Sequence, residues 1–302
     1  MKNSKAALAW GGVLLAGSLW GGGALVAQQL LDAGMAPASL ALARFALGLP
    51  LLLLGALWSG RSAAQAQDRG AWPRLPWRVK GLMAGTGAAM ALSVGCWFVA
   101  ITHVGAALAT VISICCAPVL VTAVSLLRGY ERATVPLLTG LAAALMGSAL
   151  VVAPVGGQDL AVGQWRGVMW SLGSAAAYTL VVLGNARMPQ AVSPLAASAW
   201  GMAAATLCTA AVACYQGVTW PRGAWQWAGA GYTGVVTTAI AYVIFAWSAR
   251  RLGPTAVVTA TLVEPLVAIV LAVALLGESM GMRQLVGAGL LCASIVGLSR
   301  QR

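Results

Sequence analysis

The chain has 302 residues, of which 60% are hydrophobic and only 8% charged, with a formal net charge of +12. About a quarter of a soluble domain is charged, so this composition excludes a water-soluble fold and places the chain in a lipid bilayer. The positive charge invites a nucleic-acid partner, but the distribution of the basic residues along the chain rejects that reading.

A bilayer offers the backbone no water, so only helices or closed barrels can cross it. Continuous apolar runs, rather than alternating ten-residue ones, select helices, and each span needs about 20 apolar residues. Such runs fall at 6–31, 38–58, 81–102, 105–127 and 134–153, then at 167–184, 195–216, 227–249, 255–276 and 284–298. The prediction is an all-α integral membrane protein with ten transmembrane helices, five per half. Turn residues punctuate them, among them Gly34 with Pro37, Pro73 with Pro76, Pro189 with Pro194, and Pro221 with Gly223. The connections are too short for a soluble domain, so residues 1–302 form a single membrane domain. The first run follows Lys2 and Lys5 and contains small residues at 24–27, as a cleaved signal would. It is read as a span, because its removal would leave the helix carrying Tyr178 without a counterpart.

One stretch is written twice. Residues 115–131 and 262–278 each carry a proline, Pro118 or Pro265, followed thirteen residues later by Glu131 or Glu278, and then by Gly140 or Gly287. The chain is therefore a duplication, with internal repeats 1–153 and 154–302. Because five is odd, the second unit begins on the opposite membrane face, which makes the halves inverted copies. Inverted repeats are the common architecture of secondary transporters. Pro118 and Pro265 mark matching helices, either as points that bend during gating or as static kinks.

The basic residues agree with ten spans. Lys2, Lys5, the group from Arg61 to Lys80, Arg128, Arg132, Arg187, Arg250, Arg251, Arg300 and Arg302 share one side, whereas Arg166, Arg222 and Arg283 lie opposite. This asymmetry predicts cytoplasmic N- and C-termini. Cys96, Cys115, Cys116, Cys208, Cys214 and Cys292 all fall in apolar runs, as packing residues rather than a disulfide framework. His103 is the lone histidine, read as an interfacial residue, so neither a metal centre nor a serine triad is expected, and no cofactor. The glycines, including Gly17 with Gly21 and Gly81 with Gly85, are expected to permit close helix contact. None forms a phosphate-binding loop.

Glu264 stands out among the apolar runs. About ten residues into its span, it would lie about 15 Å along the axis, near the bilayer midplane. Carboxylates at that depth are functional suspects, here holding a substrate ammonium or carrying a proton. The alternative is a protonated carboxyl that bonds backbone freed by Pro265. Arg44 is read mainly as an anchor that snorkels to the interface or bonds loop carbonyls, with attraction of a carboxylate as the second reading. Glu131 and Glu278 end their helices at water, as caps or partners of nearby arginines. Candidate cavity residues at mid-depth are Trp20, Trp97, Ser113, Tyr178, Trp200 and Tyr242, although the first reading of each taken singly is packing or an interfacial anchor. Such a lining suits an aromatic or aliphatic amino acid.

The run Leu19-Trp20-Gly21, the Arg44-Phe45 pair and the twice-written Pro and Glu motif resemble the EamA group of the drug/metabolite transporter superfamily. Over nearly the whole chain the resemblance implies ten helices, a central cavity between the halves, and export of small metabolites across a bacterial inner membrane. Within the group the chain looks most like the YddG-type exporters of aromatic amino acids. The halves differ informatively: Gly201 stands opposite Arg44, and Ala117 opposite Glu264. The leading expectation is an amino-acid exporter, sufficient as one chain, whose partners are a small-molecule substrate and the lipid bilayer. A proton-coupled exporter of amphipathic cations is the rival. A membrane enzyme would lack the acid, base and metal residues it needs.

Overall fold

A computed structural model describes residues 2–63, 75–129, 134–152, 162–190 and 192–276, with scattered residues between 282 and 294. Glu131, Glu278 and most of the expected helix at 284–298 lie outside the described residues. The elements are α1 (Lys2–Asp32), α2 (Pro37–Ala63), α3 (Trp77–Leu127), α4 (Val135–Val152), α5 (Val162–Ala186), α6 (Pro194–Gln216), α7 (Gly223–Ala249), α8 (Pro254–Ala260) and α9 (Val263–Leu276). Among the described residues there is no strand.

Among the described residues seven stretches are long and apolar enough to cross a membrane: α1, α2, the two limbs of α3, α5, α6 and α7. The difference from ten lies in the expected fifth, ninth and tenth spans. α4 has a shorter apolar stretch, Leu137–Gly147. The expected ninth span is broken in two, and the tenth is mostly beyond the described residues. The limbs of α3 meet at Gly105, whose φ of 76° and ψ of 164° interrupt the helix. That positive φ suits glycine, which lacks the Cβ that would clash there.

Two departures from ideal helix shape the middle of the molecule. Residues Tyr232–Ile240 of α7 form a π-helix, a wider turn that is frequent at functional sites. Threonines line it: Thr237 and Thr238 both donate to the Thr233 carbonyl, at 2.6 and 2.8 Å. The second departure separates α8 from α9. Pro265 has no N–H to return to the Thr261 carbonyl, which instead accepts the amide of Glu264 at 2.9 Å. Pro265 therefore sits in the first turn of α9, where a missing donor is tolerated. Pro118 behaves differently, since α3 keeps helical dihedrals through it.

Packing interleaves the two halves. α1 runs along α9 and the end of α7, α2 along α6 and the π-helix, and α3 along α5 and α6. Glycine sets several of these approaches. A methyl on Gly21 would stand 2.6 Å from the Glu264 carbonyl, and one on Gly48 would stand 2.6 Å from that of Gly234. Gly17 also contacts Val263, whereas Gly81 and Gly85 face open space. The expected four-residue glycine contact therefore holds for the first pair and fails for the second.

Candidate functional site

Where the first-half helices face the second-half helices they leave a cavity with about 80 Å³ of water-accessible space. Six of the seven residues singled out from sequence line it: Trp20, Trp97, Ser113, Tyr178, Tyr242 and Glu264. Trp200 does not, and is half-buried instead against the cluster of Leu75, Met83 and Met188. Pro118 and Pro265 are both buried, and neither lines the cavity.

The aromatic wall is organised around Phe245, which is fully buried on α7. Its ring lies 5.2 Å from Trp20, 6.1 Å from Tyr242 and 6.3 Å from Tyr178, all in tilted arrangements. Tilted pairs at such spacings are favourable beyond the area they bury. The Trp20 indole N–H donates to the Thr237 carbonyl at 2.7 Å, which ties α1 to the π-helix. Opposite, the Trp97 indole N–H donates to Thr110 Oγ1 at 3.0 Å, holding the two limbs of α3 together. Both rings are thus fixed by their polar edges, and each presents an apolar face.

Serines attach α3 to α5. Ser93 Oγ donates to the Ser174 carbonyl at 3.0 Å, and Ser113 Oγ to that of Ser171 at 3.2 Å. Ser113 therefore lines the cavity with its hydroxyl proton already committed. Ser93, Ser174 and Thr261 also line it. No sequence signal distinguishes them from other small polar residues of membrane helices.

Arg44 is where sequence reasoning went furthest astray. Rather than reaching the interface, it is only 6% exposed and lines the cavity. Its Nε donates to Thr238 Oγ1 at 2.7 Å, and its guanidinium carbon lies 5.9 Å from the centre of the Trp97 ring. The cause is the crossing of α2 and α7, where Gly48 and Gly234 bring the backbones together and turn Arg44 towards the π-helix. The Arg44-Phe45 pair carried the signal, but the depth of the residue alone does not give its direction.

Glu264 is likewise 6% exposed and lines the same cavity. It occupies the first turn of α9, the end of a helix at which negative charge is favoured. Its carboxyl makes no hydrogen bond among the described residues, so it does not serve the backbone freed by Pro265. Arg44 and Glu264 are near enough to attract each other, yet no ion pair joins them among the described residues. The cavity thus holds one cation and one carboxyl group, each with capacity to spare, between aromatic walls.

The remaining candidates lie apart. His103 is exposed and donates from Nδ1 to the Val99 carbonyl at 2.9 Å. Cys96, Cys116, Cys208 and Cys214 are free thiols. Among the described residues no three His, Cys, Asp or Glu side chains are grouped as metal ligands would be.

The architecture has known counterparts. A crystal structure 18% identical in sequence superposes with a TM-score of 0.75, covering 99% of this chain and 97% of that one, which establishes a shared fold. No curated protein matches the chain in sequence. The sequence profile of the EamA-like transporter family matches twice, over residues 8–153 and again over 165–300. With most of its length accounted for by those two matches, the chain belongs to the EamA-like transporter family.

Proposed function

We propose that this transporter exports zwitterionic amino acids, aromatic and other apolar ones foremost, by alternating access. The observation that carries the reading is the pairing of Arg44 and Glu264 in one cavity without an ion pair between them. An amino acid has a carboxylate for the first and an ammonium for the second, and its side chain would lie against Trp20, Trp97 and Tyr242. A planar guanidinium can grip a carboxylate with two parallel bonds. Binding the zwitterion replaces water around both charged groups at once, which a singly charged solute cannot do.

The reading extends to the whole chain: ten spans as two inverted five-helix repeats, functional as a monomer in a bacterial inner membrane, with both termini cytoplasmic. It includes the YddG-type specificity suggested by the sequence. The rival, a proton-coupled exporter of amphipathic cations, draws support from the unpartnered Glu264 carboxyl beside aromatic rings. Arg44 in the same cavity disfavours it, because a cation would meet a like charge.

Counterflow in proteoliposomes tests the proposal. Vesicles loaded with unlabelled amino acids are given labelled phenylalanine, tryptophan, threonine or a cationic dye outside, with and without a pH gradient. Saturable accumulation of phenylalanine and tryptophan, unaffected by the gradient, is expected. Accumulation of the dye alone, driven by the gradient, would replace this reading with the rival.

A further inference from the structure

The π-helix of α7 does more than widen a turn, because one of its threonines holds the cation of the cavity. Thr238 is fully buried and is not among the residues that line the cavity. Its hydroxyl has a single proton to give, and Oγ1 donates it to the Thr233 carbonyl, five residues back, at 2.8 Å. A threonine in an α-helix reaches the carbonyls three or four residues back. The bond therefore needs the π register, in which the fifth is within range. With its proton committed, the oxygen offers a lone pair to α2 and accepts from Arg44 Nε at 2.7 Å.

The rest of the Thr238 side chain is set by the same crossing. A methyl on Gly48 would stand 3.2 Å from Thr238 Cγ2, and one on Gly234 would stand 2.9 Å from the Arg44 carbonyl. Arg44 and Gly48 are one helical turn apart on α2, as Gly234 and Thr238 are in α7, so each pair lies along one helix face. The two faces interlock, side chain against glycine in both directions. Thr238 cannot turn about its Cα–Cβ bond without breaking both hydrogen bonds.

This restraint gives Arg44 a defined capacity. A guanidinium carries five N–H donors in a rigid plane, and among the described residues only the one on Nε is engaged. A carboxylate is gripped by two parallel N–H bonds. With Nε held by Thr238, the grip that remains is the one made by the two terminal nitrogens. Fixing the plane beforehand also removes part of the ordering cost that a freely swinging side chain would incur on binding.

We infer that Thr238 is the positioning residue for the substrate's carboxylate, orienting the Arg44 guanidinium through Nε so that the site prefers solutes with a free carboxylate. The inference rests on the amino-acid reading of the cavity. Selectivity then depends on a hydroxyl that never touches the substrate.

Counterflow by the full-length protein in proteoliposomes tests it, with phenylalanine, its methyl ester and N-acetylphenylalanine as competing solutes. Thr238→Val keeps the methyl contact and removes the hydroxyl, whereas Thr238→Ser keeps the hydroxyl and removes the methyl. Thr238→Val should narrow the preference for phenylalanine over the ester by roughly fivefold, the scale of one hydrogen bond, through a raised KM for phenylalanine. Its preference over N-acetylphenylalanine, which reads the ammonium, should be unchanged. Thr238→Ser should retain both preferences. In Arg44→Gln, which has no guanidinium to orient, adding Thr238→Val should change neither preference further, as expected of residues that act as a unit. If Thr238→Val does not fold, Thr238→Ala is compared with Thr238→Ser in its place. Equal losses in the valine and serine variants, both preferences falling together, or an intact ester preference in Thr238→Val where Arg44→Gln narrows it, would overturn the positioning role and leave the amino-acid reading standing. Absence of saturable phenylalanine exchange in the unmodified protein would overturn that reading and this inference with it.

Discussion

In the proposed function Arg44 and Glu264 divide the recognition of a zwitterion between them, so their substitutions should fail in different ways. Loss of a hydrogen bond to a charged group costs about 1.5–3 kcal/mol, or roughly 10- to 100-fold in affinity. Glu264→Gln should therefore weaken phenylalanine exchange by that order while leaving the protein folded, as judged by thermal unfolding and gel filtration. It should also narrow the discrimination between phenylalanine and N-acetylphenylalanine, which has no ammonium. Arg44→Gln should instead narrow the discrimination between phenylalanine and its methyl ester, which has no carboxylate. Identical losses in both variants, with both discriminations unchanged, would make the pair structural. Glu264 was legible in the sequence because a carboxylate well inside an apolar run has few ordinary uses, whereas the rings were candidates by depth alone, since rings at that depth also serve packing. Arg44 was not legible, because its depth fits either a snorkelling anchor or a cavity residue, and only the crossing of α2 on α7 decides between them.

At the scale of the elements, the gap between α8 and α9 is the feature that places a carboxyl in the cavity. The sequence pointed to Pro265 and to a kink, but not to a complete break, since apolar content continues through Thr261 and Leu262 without a turn signal. The π-helix was similarly hidden, because its threonines are ordinary residues for a membrane helix and the extra width comes from hydrogen-bond register rather than composition. Pro265→Ala restores the amide that could return to the Thr261 carbonyl and make α8 and α9 continuous. It should slow exchange severalfold without lowering the melting temperature. Pro118→Ala should do less, because α3 is already helical through Pro118; an equal or larger effect there would remove the break from the mechanism. Gly21 tests the same element from the other side. A methyl placed 2.6 Å from the Glu264 carbonyl must push α1 and α9 apart, and overpacking of this kind costs about 1–3 kcal/mol. Gly21→Ala should lower both the melting temperature and exchange. Gly85→Ala, whose methyl meets nothing, should leave both unchanged.

For the whole molecule, the interleaving of halves explains why the cavity draws residues from α1, α2, α3, α5, α7 and α9 together with Thr261 beside the break. Neither half contains the site alone, and the two charged groups come from different halves. The duplication motif announced two similar halves in the sequence, and the family profile accordingly matches twice, over residues 8–153 and 165–300. The proposed direction across the membrane rests on a separate signal, the crowding of lysine and arginine on one set of expected loops. Fusions at the ends of the described helices check that direction. A fluorescent protein at the C-terminus should fold and fluoresce, and alkaline phosphatase there should be inactive, since it matures only outside the cytoplasm. Phosphatase fused after Gly217, in the short connection between α6 and α7, should be active.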